Sequence, residues 1–133
     1  MRVFVFVGIL SVLFIHACAP DNSYTLNDKV LAEIPDSIIA FDSMVNIMTD
    51  IHLAETWARE RSNDSLNQDQ RLALYYAQIF HAHNISLQQY NAAYAYYSSE
   101  PLLMNVMYQR VTENLNLLES TEASKKNKSS NNE

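Results

Sequence analysis

Three groups of residues have types and spacings that bear on chemistry. His52 and Glu55 stand three positions apart, which places an imidazole and a carboxylate on one side of a helix. Carboxylate-bridged dimetal bundles are built from such pairs on facing helices. Cys18 is the single cysteine and closes an apolar run, Val3 to Ile15, so it is placed for modification rather than for a disulfide. Tyr90, Tyr94 and Tyr97 recur at helical spacing, and Tyr75, Tyr76 and Tyr108 add aromatic area of the kind that stacks on ligands or partners.

Most of these residues also have a structural explanation. A dimetal site needs a second Glu-x-x-His or His-x-x-Glu pair, and the other predicted helices carry none, so neither a metal nor a cofactor is expected. Glu55 falls within an apolar stripe, where a carboxylate must find a partner. Arg110, inside the apolar face of the last predicted helix, or a tyrosine hydroxyl is expected to meet it. His81 and His83 project about 200° apart on a regular helix and cannot chelate together. His83 is expected to pack or cap at a helix C-terminus, where partial positive charge is favourable. Asp50 lies on the far side of the wheel from Glu55, which excludes a glycosidase-type carboxylate pair. No serine has a His/Asp relay beside it. Enzyme activity is therefore not expected.

The tyrosine stripe reads first as core packing with hydroxyls reaching the rim. The alternative is an open groove lined by Tyr94, Tyr97 and Tyr108. Leu53 and Trp57, at i and i+4, face away from the main stripe of their helix. The preceding Ile34, Ile38, Ile39 and Phe41 are expected to fold back over them, the other reading being contact with a partner.

Composition narrows the function classes. The chain has 133 residues and 48% apolar content, enough for one small core. Its one glycine, Gly8, lies in the apolar leader. Without glycine the remainder cannot form a Walker loop, a GxGxxG turn or a GxSxG elbow. A net charge of −6 disfavours nucleic acid as a partner.

Residues 1–17 have the form of a lipoprotein signal peptide: Arg2, then 13 apolar-rich residues from Val3 to Ile15. Thirteen helical residues span about 20 Å, short of a bilayer's hydrocarbon core. Ile15-His16-Ala17-Cys18 resembles a bacterial lipobox, with His16 departing from the usual small residue, so Cys18 is expected to carry the lipid. Two or three acyl chains on one residue anchor stably.

Residues 18–35 read as the lipidated Cys and a polar tether, with Val30, Leu31 and Ile34 free to dock. Residues 36–119 form an all-α domain, a small four-helix bundle of antiparallel or angled helices, and 120–133 a disordered tail. The first helix runs from an Asp42 cap to about Arg61, ending at Ser62-Asn63-Asp64, and the second from about Gln68 to His83. Asn84 takes a left-handed stop, and Ser86-Leu87-Gln88-Gln89 is a capping box with an Ile85–Tyr90 staple. Pro101 opens the fourth helix, which ends near Glu119.

Asp50-Ile51-His52-Leu53-Ala54-Glu55, His83-Asn84-Ile85-Ser86, Tyr96-Tyr97 before Glu100-Pro101, and the Tyr108-to-Leu115 stretch together resemble a Bacteroidota lipoprotein family. It is catalogued as domain of unknown function 4296, and the resemblance runs from about Ile34 to Leu118 plus Cys18. It implies a small helical lipoprotein and assigns no activity. The expected function is a lipid-anchored accessory subunit that binds an envelope protein at the periplasmic face of the outer membrane. Ala19, rather than Asp, beside Cys18 favours outer-membrane sorting, and the lack of an acidic run there favours the periplasmic face. Alternatives are a glycan- or lipid-binding module using the tyrosines, and a chaperone-like holdase with a broad apolar cleft.

Overall fold

Each of the four apolar stripes forms a helix. The computed structural model describes residues 26–60 and 65–130, and among these are five helices and no strand. They are α1 (Asp28–Ala32), α2 (Phe41–Glu60), α3 (Gln68–Ala82), α4 (Leu87–Ser99) and α5 (Pro101–Ser130). The Ser62–Asp64 turn, the leader and Cys18 lie outside the described residues.

Local chemistry fixes the helix starts and the sharpest turn. At α4, the Gln89 N–H donates to Ser86 Oγ (3.2 Å), while Gln89 Oε1 accepts the Ser86 N–H (2.8 Å). Asn67 and Gln70 form the same reciprocal box at α3, at 2.9 and 3.0 Å. Asn84 has φ 53°, and the Ile85 N–H donates to the Phe80 carbonyl at 2.9 Å, the six-to-one bond of a left-handed helix stop.

The second helix, α2, is the hub, packing against α3 and α5, while α4 packs on α5. Its Phe41, Met44, Val45 and Met48 meet Ala93 and Tyr97 of α4 and Leu103, Val106, Met107 and Val111 of α5 in the main core. Its Ile47 and Ile51 meet Phe80 of α3 in a second cluster, against which Tyr76 and Tyr90 also pack. Thr49 is buried with its hydroxyl satisfied: it donates to the Val45 carbonyl at 2.8 Å and accepts from Asn114 Nδ2 at 3.4 Å. Arg71, 7% exposed, ties α3 to the end of α2. Its Nε and Nη2 donate to the Ala58 carbonyl at 3.2 and 3.0 Å, and its Nη1 donates to the Leu66 carbonyl.

Two segments differ from the sequence reading. The expected tether contains α1, capped by the Asn27 side chain; Val30, Leu31 and Ile34 dock on the main core as the sequence reading allowed, and Leu26 joins them. The expected disordered tail is helical through Ser130, because no Gly or Pro after Pro101 stops α5. Local bonds carry the extension: Thr121 and Ser124 hydroxyls donate to the Leu117 and Ser120 carbonyls, and Lys125 pairs with Glu122 at 2.6 Å. Residues 120–127 are exposed, so this part of α5 makes no core contact.

Candidate functional site

Glu55 lies one to two turns beyond the buried Met48 and Ile51 of α2 and looks out over α3 and α4. Its Oε1 accepts the Tyr76 hydroxyl at 2.8 Å, and its Oε2 lies 3.6 Å from His52 Nδ1. The His52 ring is 6.5 Å from that of Tyr108 on α5, and Tyr90 and Tyr94 on α4 stand 6.0 Å apart. Together with Met48 and Ile51, these side chains line a solvent-open hollow of about 350 Å³. Glu55 and His52 remain about two-fifths exposed there.

Three phenols of the hollow, Tyr76, Tyr90 and Tyr108, hold their protons more firmly than a free tyrosine. Burial, then the hydrogen bond to Glu55 and its negative field, pushes Tyr76 up to about 12. Tyr90 is raised chiefly by burial, with Tyr94, Tyr108 and Glu55 adding to it. Tyr108 is raised first by its hydrogen bond with Tyr94, then by burial, and Glu55 contributes again. Outside the hollow, burial carries Tyr97 to about 12. The unfolded chain releases such protons near 10. Between pH 10 and about 12 the unfolded state therefore binds fewer protons than the folded one, and stability falls as pH rises through that window. Urea midpoints across this range should drop, and Glu55→Gln should lower the Tyr76 value seen by tyrosinate absorbance only part-way, because burial is the larger cause.

Several expectations require correction. Arg110 does not reach Glu55. It pairs with Asp42 at 2.6 Å and sits 5.3 Å over the Phe41 ring. Thirteen helical residues separate Asp42 from Glu55, about 20 Å along α2, too far for one guanidinium to serve both. The tyrosine alternative, Tyr76, is the partner found. Tyr97 does not line the hollow: it is fully buried, edge-on to Phe41 at 5.9 Å, with its hydroxyl donating to the Ile39 carbonyl at 2.6 Å. Tyr94 and Tyr108 do line it, each about two-fifths exposed. The tether does not cover Leu53 and Trp57, because Ile34, Ile38, Ile39 and Phe41 are spent on the main core. Trp57 is 55% exposed, and Leu53 is half-buried.

His83 closes α3 as its C-cap, its backbone N–H donating to the Ile79 carbonyl. Its Nε2 meets Asp50 Oδ2 at 2.7 Å, a pairing the sequence reading missed. Among the described residues no three or more His, Cys, Asp or Glu are grouped to hold a metal ion, and no helix is long and apolar enough to cross a membrane.

The family model described as a domain of unknown function (DUF4296) matches residues 35–121. The chain belongs to this family. The matched span of the DUF4296 domain contains every residue of the hollow and stops where α5 leaves the bundle. Two segments that carry the resemblance meet in space: Asp50–Glu55 supplies Ile51, His52 and Glu55 to the hollow and Asp50 to the pair with His83 of the turn. No curated protein and no solved structure matches this DUF4296 chain.

Proposed function

We propose that the protein is a lipid-anchored, non-enzymatic component of the cell envelope that works by binding another protein, as an accessory subunit at the periplasmic face of the outer membrane. The observation that carries the binding role is the hollow, where four tyrosines, His52 and Glu55 surround an apolar floor and are supplied by four helices, α2 to α5. Its volume of about 350 Å³ fits a side chain or small group rather than an unfolded segment, which favours specific recognition over a holdase. The chemistry of the lining points the same way. Glu55 already accepts the Tyr76 hydroxyl, and phenols with raised pKa values neither attack nor take up protons near neutral pH. Lipid attachment rests on the lipobox-like Ile15–Cys18 and on membership of a family that the motifs liken to envelope lipoproteins. Anchoring would raise the effective concentration of the domain near membrane partners.

Crosslinking in intact membranes followed by affinity purification tests the role. Tyr94→Ala with Tyr108→Ala removes two exposed rings without opening the core, so the fold is retained. Proteins recovered with the wild type should be lost with the double variant. Recovery of the same proteins by both contradicts the reading. Recovery of glycan or lipid alone would favour the alternative in which the tyrosines stack on a sugar or acyl ligand.

A further inference from the structure

We propose that the hollow is a cation site that takes the ammonium end of a lysine side chain presented by the partner protein. This deepens the reading of the hollow as the recognition face and rests on it.

Charge is the first argument. The lining contains one carboxylate, Glu55, and neither Lys nor Arg, in a chain with nine of those residues in all. An anionic ligand would meet a carboxylate and no guanidinium or ammonium. A cation meets the opposite: Glu55 and the negative faces of Tyr76, Tyr90, Tyr94 and Tyr108, the combination that attracts ammonium groups within about 6 Å of a ring centroid. Glu55 contributes to the raised hydroxyl pKa of Tyr76, and less to those of Tyr90 and Tyr108, so its field reaches all three helices that face α2 across the hollow.

Shape is the second. Met48 and Ile51 form an apolar floor beside the carboxylate, matching a side chain with a methylene stem and a charged tip. The state of Glu55 separates lysine from arginine. Oε1 already accepts the Tyr76 hydroxyl, and Oε2 faces His52. A guanidinium fork uses both oxygens side by side, whereas an ammonium is a point charge that one oxygen satisfies. Tyr76 and Tyr90 are held by the second core cluster, Phe80 lying 6.2 Å from Tyr76 and 5.2 Å from Tyr90, so this wall of the site is preformed.

The test uses the full chain in neutral detergent micelles, with tyrosine ring resonances followed by NMR. The probes are Nα-acetyl-lysine N-methylamide, its uncharged match Nα-acetyl-norleucine N-methylamide, and O-phosphoethanolamine as the lipid-headgroup source of an ammonium. The lysine amide should shift the Tyr94 and Tyr108 rings saturably. Its affinity should fall at least tenfold in Glu55→Gln, which keeps an acceptor for Tyr76, and several-fold in Tyr94→Ala. The norleucine amide should leave the rings unmoved. Equal shifts by both amides, unchanged affinity in Glu55→Gln, no shift with either amide, or binding of phosphoethanolamine in preference to the lysine amide would each overturn the proposal. If these fail while the double tyrosine variant still loses its partners in membranes, the hollow remains the recognition face and only the cation assignment falls.

Discussion

Tyr97→Ala is expected to cost about 3–5 kcal/mol of folding stability, the range for truncating a large buried aromatic. The ring is fully buried, edge-on to Phe41 at 5.9 Å and to Tyr96 at 5.4 Å. It joins α4 to the Phe41–Met48 face of α2 and to the Leu103–Val111 face of α5. Its hydroxyl also reaches the Ile39 carbonyl at 2.6 Å, so one side chain fastens both the core and the segment before α2. Tyr97→Phe removes only that hydrogen bond and should cost about 1 kcal/mol. Small domains have about 5–15 kcal/mol in total. Urea unfolding should therefore show a large drop in midpoint for the alanine variant and little change for the phenylalanine variant. A small, equal effect of both changes would mean that the core does not close around this ring.

Tyr97 and Tyr94 also show which parts of the site could be read from sequence. Both fall on one helical stripe, and periodicity gives the direction of a side chain without saying how far the neighbouring helix covers it. Tyr97 meets Phe41 and disappears, whereas Tyr94, one turn earlier, is left at the rim of the hollow. The Glu55 partner was legible as a choice between an arginine and a tyrosine, because burial demands a partner and does not identify it. The helix positions decide for Tyr76, 21 residues away, and against Arg110, which the start of α2 captures through Asp42. Asp50 and His83 were each visible, but their pairing depends on how the end of α3 lies across α2.

Local signals were legible to within a residue or two. The Ser86–Gln89 box, the left-handed Asn84 and Pro101 at the head of α5 act through their own backbone neighbours, so no tertiary information is needed. The Asn67–Gln70 box follows the same pattern and was available in the sequence on the same grounds. Composition misled at the C-terminus. Residues 120–130 lack large apolar side chains and so read as tail, yet a helix already anchored at Leu103, Val106 and Met107 need not nucleate again to continue through Glu, Ala and Lys.

The claim that the domain works while held at a membrane depends on Cys18. In the proposed account the lipid is carried by Cys18, the one cysteine of the sequence, so replacing that thiol should abolish attachment. Cells fed a clickable fatty acid should yield a labelled wild-type protein in the membrane fraction. Its intact mass should match residues 18–133 plus a thioether-linked diacylglyceryl group, with or without a third acyl chain on the Cys18 amine. The Cys18→Ser variant should carry no label and retain residues 1–17. Label on the variant, or a wild-type protein with a free thiol at position 18, would contradict the account.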